Sequence, residues 1–206
     1  MRIIDLTRTI TDLISTSPFD DMLSLTTYKT IENDGYADSR LDTSMHVGTH
    51  MDAPSHMIPG GKLMSDYPLE HFIAQGVALD FTNASQIELE DSDALKIPMH
   101  SIVIIHTNKQ VDFGDDAYYN DYPVLTDKFV SLLIKQQVKA IILDSFSPDY
   151  APFTIHKKLL KHDILIVENA VNTDKLLSLT HFEVNIMPLK IASEGAFVRA
   201  FVKIID

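Results

Sequence analysis

The chain has 206 residues, 45% hydrophobic and 22% charged, proportions that suit a soluble globular protein with room for a substantial core. Its net charge of −12 argues against a nucleic-acid or anionic-membrane partner, because phosphate binding needs clustered Lys and Arg. With nine histidines and no cysteine, a disulfide framework, a thiolate zinc site and a cysteine nucleophile are excluded, and any metal must be held by nitrogen and oxygen.

In chain order, Met1-Arg-Ile-Ile-Asp-Leu-Thr7 lacks the apolar core of a secretory signal, and no apolar run reaches the length of a membrane span. Cytoplasmic residence and one domain over 1–206 are the expectations. Arg2 to Leu6 reads as a short strand, Thr11 to Asp21 as a polar, turn-rich stretch, and Met22 to Tyr28 as a strand. Glu32 to Thr43 is polar, contains Asp34-Gly35 and reads as a loop or irregular hairpin. After Pro59-Gly60-Gly61, which marks a turn, Ser65-Asp66-Tyr67-Pro68 predicts the entrance of a helix that ends before Gly76.

Gly76 to Phe81 and Ser101 to His106 are apolar runs of strand length, with an acidic short helix expected over Glu88 to Leu95. Asp112 to Pro123 reads as a Tyr-rich loop. Thr126 to Gln137 has helical spacing, Lys139 to Leu143 reads as a buried strand, Ile155 to His162 as a short helix and Ile164 to Val167 as another strand. Val184 to Leu189 and Phe197 to Ile205 complete the set, the last alternating with Arg199 and Lys203 on one face. Interleaved strands and helices, with more strand than a βαβ repeat, predict an α/β fold with a mixed sheet.

The segment Ser44-Met-His-Val-Gly-Thr-His-Met-Asp-Ala-Pro-Ser-His56 carries the chemistry. His46, His50, Asp52 and His56 all sit at even numbers, so an extended chain would place them on one face. Gly48, Thr49 and Pro54 argue against a helix. Imidazole nitrogens and a carboxylate are the usual donors for zinc and neighbouring divalent ions. Further along, Glu168 ends the apolar run Ile164-Leu-Ile-Val167, where a buried carboxylate is costly unless paired or bound to metal. His156 opens the short helix before it, and a helix–turn–strand unit could bring the two together. A structural salt bridge is the alternative for Glu168. The other histidines, His71, His100, His106, His162 and His181, read as structural or exposed. Phe19, Tyr28, Tyr67, Tyr118, Tyr119, Tyr122 and Phe146 are candidates for a stacking wall, or equally for core or surface.

The histidine segment resembles the signature of the metal-dependent cyclase family, which includes bacterial kynurenine formamidases and isatin hydrolases. The resemblance extends to Ile4-Asp-Leu-Thr7, Gly60-Gly61-Lys62, Gly76 to Asp80, Asp144-Ser-Phe-Ser-Pro-Asp149, the His156 to Glu168 spacing and Gly195 to Arg199. It implies a swivelling β/β/α fold that forms homodimers or larger homo-oligomers. It also implies His46, His50, Asp52, His156 and Glu168 as metal ligands around one or two Zn2+ ions and His56 as catalytic acid/base; by donor chemistry a carboxylate-rich set can also take Mn2+. One departure is that Gly195-Ala-Phe-Val-Arg199 lacks the Pro that the formamidases carry there.

The implied reaction is hydrolysis of an aryl formamide, N-formylkynurenine to kynurenine and formate, with metal-activated hydroxide as nucleophile and His56 moving the proton. A cyclic amide or lactone hydrolase and a non-catalytic metal- or ligand-binding protein are the competing readings. No G-x-S-x-G elbow, P-loop or dinucleotide fingerprint is present.

Overall fold

The computed structural model describes residues 2–18, 21–89 and 96–205. Its strands are β1 (Ile3–Asp5), β2 (Ser24–Lys29), β3 (Asp38–Asp42), β4 (His50–Asp52), β5 (Ile73–Asp80) and β6 (Gln86–Ile87). They continue as β7 (Ile102–His106), β8 (Val124–Leu125), β9 (Ala140–Leu143), β10 (Leu165–Glu168), β11 (Phe182–Pro188) and β12 (Gly195–Ile204). The α-helices are α1 (Ile31–Asp34), α2 (Asp116–Asn120), α3 (Asp127–Lys135) and α4 (Thr154–Lys161).

Eight strands form one mixed sheet in the order β1-β12-β11-β5-β7-β9-β10-β4, and β4 pairs again with β12, closing the sheet on itself. The closure works because β12 is long. Its residues 195–197 pair with β4, residues 201–203 pair with β1 along the same edge, and its other edge takes β11. The run β5-β7-β9-β10 is parallel, and the remaining pairings of this sheet are antiparallel.

Alternation along the parallel strands explains their unbroken apolar sequences. Ile102 and Ile104 of β7, Ala140 and Ile142 of β9, and Leu165 and Val167 of β10 join a core enclosed by the sheet. Val103, Ile105, Ile141, Leu143 and Ile166 face outward into a second core under α3 and α4. A strand buried on both faces has no polar positions to spare. α3 begins where the Thr126 hydroxyl accepts the Phe129 N–H at 3.2 Å. α4 turns Ile155, His156, Leu159 and Leu160 toward the sheet. No described helix is long and apolar enough to cross a membrane.

Three expectations need correction. No α-helix follows Pro68: Leu69–Phe72 is a 3₁₀ turn, and β5 begins at Ile73, because Phe72 must drop into the enclosed core within so few residues. Glu32 to Thr43 does form the expected irregular hairpin: β3 pairs with β2, the register shifts between Thr27 and Lys29, and α1 lies in the connection. Asp112 to Pro123 is not simply loop: α2 buries Tyr118 and Tyr119. The histidine segment is extended only over His50–Asp52, as described next. Most of the expected Glu88 to Leu95 helix lies outside the described residues.

Candidate metal centre

β4 is three residues long and flanked on both edges, by β10 and β12. In antiparallel pairing, residues directly opposite share a face of the sheet. His50 is opposite Glu168, and Asp52 is opposite Ile166. Ile166 belongs to the outer core, so His50, Asp52 and Glu168 share the outer face, while Met51 and Val167 point into the enclosed core. The outer face is where α4 packs, and α4 brings His156.

His46 and His56 arrive by other means than a shared strand. Gly48 adopts φ +64°, which turns the chain before β4 and folds His46 back beside His50. Their ring centroids are 5.0 Å apart. After β4, Pro54–His56 forms a 3₁₀ turn that sets the His56 ring 4.4 Å from that of His46. The one-face expectation thus holds for His50 and Asp52, and local turns supply the other two. Gly195, opposite Asp52, keeps the approach open, since a Cβ there would lie 3.2 Å from His46 Cε1.

The donor atoms form two adjoining groups, His46–His50–Asp52 and Asp52–His156–Glu168, that share Asp52. Asp52 Oδ1 lies 3.0 Å from His46 Nδ1 and 3.6 Å from His50 Nε2, whereas Oδ2 faces His156 Nε2 at 3.8 Å. Glu168 lies between two of these rings, with Oε2 at 3.4 Å from His50 Nε2 and Oε1 at 3.3 Å from His156 Nε2. His50 Nδ1 is 2.9 Å from the Gly48 carbonyl, His156 Nδ1 is 2.5 Å from Asp149 Oδ1, and His46 Nε2 is 3.5 Å from Glu194 Oε1.

The centre passes a chemical test for a cation. His50 Nε2, Asp52 Oδ1 and Glu168 Oε1 are buried without a hydrogen-bond partner, an arrangement costly for a finished core and suited to a ligand set. Burial opposes charge on His46 and His156, but the carboxylates close to each ring outweigh it. They push His46 up to about 9 and His156 up to about 10. His50 moves up for the same reason, and Asp52 is held below the usual carboxylate range against its own burial by these histidines.

Beside the donors opens a pocket of about 730 Å³, lined by His46, Asp52, His56, His156 and Glu168 on one side and by aromatic rings on the other. Tyr119, Tyr122 and Phe146 of the expected wall are there, joined by Tyr150 and Phe153. Tyr118 is instead buried, its hydroxyl 2.6 Å from Asn169 Oδ1; Tyr67 bonds Asp163, and Tyr28 is exposed on the hairpin. Phe19 lies outside the described residues. His71, His106 and His162 bond elsewhere, to Lys139, Thr173 and Lys158. Sequence reasoning missed Asp149, Asn169, Glu194 and Gly195 as parts of the site, since none belongs to a donor pattern along the chain.

Buried histidines and carboxylates on the covered face of a mixed sheet, opening on an aromatic pocket, make a group that could hold a metal ion beside a cavity of small-molecule size. The Cyclase family model matches residues 4–150, and the chain belongs to that family. It is 30% identical to an uncharacterized protein of Methanocaldococcus jannaschii over 93% of this chain and 92% of that one. It is 26% identical to the kynurenine formamidase of Bacillus mycoides over 97% and 96% of the two chains. Among solved structures, isatin hydrolase A from Ralstonia solanacearum superposes with a TM-score of 0.85 at 21% identity, covering 99% of this chain and 92% of that one.

Proposed function

We propose that the chain is a metal-dependent hydrolase of carbon–nitrogen bonds other than peptide bonds, an arylformamidase converting N-formylkynurenine to kynurenine and formate. The observation that carries this reading is the trio of unbonded buried donors, His50 Nε2, Asp52 Oδ1 and Glu168 Oε1, beside an aromatic pocket that also contains His56. The likeness to kynurenine formamidases along nearly the whole chain supports the reaction class. The rings of Tyr119, Tyr122 and Phe146 suit an aryl substrate.

In this reading His46, His50 and Asp52 hold one ion, and Asp52, His156 and Glu168 hold a second. Nitrogen and oxygen donors suit zinc, with manganese as the alternative for a carboxylate-rich set. A bound divalent ion supplies a Lewis acid for the substrate carbonyl and makes water acidic enough to attack near neutral pH. His56 accepts the proton of the attacking water and returns it to the leaving nitrogen. Burial, the largest influence on it, holds it below the ordinary histidine value, which favours the neutral ring that accepts a proton.

We also infer a homodimer or homotetramer located in the cytoplasm. Tyr28 and Leu41 on the β2–β3 hairpin, and Ile31 and Tyr36 in its connection, are exposed, and an isolated two-stranded hairpin is marginal in water. Light scattering of the purified protein checks the mass.

Elemental analysis and formamide turnover test the assignment of roles. Asp52→Ala is expected to lose metal and activity together. His56→Ala is expected to keep its metal and lose about 10²- to 10⁴-fold in rate. If His56→Ala lost metal as fully as Asp52→Ala, the division of roles would be wrong. Turnover of isatin but no aryl formamide would assign ring opening of a cyclic amide instead, and no turnover by metal-loaded protein would leave a metal-binding protein.

A further inference from the structure

Asp149 closes the Asp144-Ser-Phe-Ser-Pro-Asp149 segment, and its side chain is almost wholly buried. Its carboxylate is divided between two tasks. Oδ2 accepts the Ile155 N–H at 2.7 Å, in the first turn of α4, and Oδ1 lies 2.5 Å from His156 Nδ1. The backbone carbonyl of Asp149 accepts two further bonds, from the Tyr122 hydroxyl at 3.1 Å and the Ser147 hydroxyl at 2.9 Å. The carboxylate is therefore held in place from its own backbone and from the helix it caps.

A neutral imidazole carries one ring proton, and the hydrogen bond at one nitrogen decides where it sits. A carboxylate only accepts, so His156 Nδ1 must donate. The lone pair is then on Nε2, which faces Glu168 Oε1 at 3.3 Å and Asp52 Oδ2 at 3.8 Å. We propose that Asp149 is the positioning residue of the second ion site: it fixes His156 in the Nδ1–H tautomer and in the orientation that presents Nε2 to Asp52 and Glu168. This rests on the two-ion reading given above. His50 is oriented in the same way by the Gly48 carbonyl, which also accepts the Asn169 side-chain amide at 3.0 Å. That acceptor is backbone and survives any side-chain change, whereas Asp149 can be altered by one atom.

Asp149→Asn makes that change. If its oxygen keeps the Ile155 N–H, its NH2 faces Nδ1, which must then accept. The ring proton moves to Nε2, where a ligand lone pair is required. The full chain, stripped of metal, is titrated with Zn2+ against a chromophoric chelator beside Asp149→Ala and His156→Ala. In Asp149→Asn the first ion is expected to bind as in the parent, and the second about 10- to 100-fold more weakly. Without metal this variant should unfold below the parent, because the charged contact to His156 is gone, but above Asp149→Ala, which loses the helix cap as well.

Long-range ¹H–¹⁵N spectra of metal-free protein, taken at alkaline pH where the His156 ring is neutral, give a readout that needs no metal: a protonated, hydrogen-bonded Nδ1 in the parent and an unprotonated Nδ1 in Asp149→Asn. An unchanged second affinity in Asp149→Asn, or no such proton in the parent, overturns the proposal. Equal weakening of both ions also overturns it, by making Asp149 a general structural support. A parent that shows the proton but takes up a single ion defeats the two-ion reading while supporting the hold of Asp149 on His156.

Discussion

At the scale of single residues, the centre depends on side chains that never touch substrate. Gly195 is the sharpest case, because its missing side chain leaves the space that His46 fills. A Cβ there would meet His46 Cε1 at 3.2 Å and the Met51 carbonyl at 3.3 Å, and the carbonyl cannot move without disturbing β4. Gly195→Ala is therefore expected to displace the imidazole. Metal affinity should fall by about tenfold, as when a ligand loses its orienting support. Chelator competition measures it, and unchanged affinity would show that His46 can give way without cost.

Among the elements, α3 shows how local chemistry sets the frame around the site. Thr126→Ala removes the hydroxyl that accepts the Phe129 N–H and should cost about 1 kcal/mol in urea unfolding, leaving metal content unchanged. Such caps, the apolar runs of β7, β9 and β10, and the amphipathic faces of α3 and α4 were readable because each signal lies within one element. The convergence of His46, His50, Asp52 and His56 was readable from their spacing, although the means was not. A glycine at φ +64° and a 3₁₀ turn replace the continuous strand. Gly195 and Asp149 stayed hidden because their partners are set by pairing and packing across more than one element. The helix that buries Tyr118 and Tyr119 was equally hidden, since Asp115, Asp116 and Asn120 around them read as loop.

For the whole molecule, the charge balance of the centre couples stability to pH and to metal. In metal-depleted protein, His46 and His156 are raised from an ordinary value of about 6.5 to about 9 and about 10. A histidine raised by folding stabilises the fold fully below its unfolded value, and that contribution is lost as pH rises through the folded value. The melting temperature of depleted protein should therefore fall between about pH 7 and pH 10, the window bounded by those values. With His46 and His156 as the proposed ligands, metal uptake would displace the same protons, so affinity should rise over that range. Scanning calorimetry of loaded and depleted protein would show the gap in melting temperature widening with pH. A constant gap would mean that these histidines do not carry the protons.

β4 has a last consequence, one of timing. This three-residue strand joins β10 on one side and β12 on the other, and it carries two of the donors. An ion bridging Asp52 to His156 would tie β4 to a helix more than a hundred residues away in sequence. Escape of that ion by backbone movement requires the closed sheet to open at this three-residue strand. The same opening exposes the β4 amides to solvent. Hydrogen exchange at Met51 and Asp52 and the off-rate of the metal should then share one clock, set by a seam in the sheet rather than by the strength of any single bond to the ion.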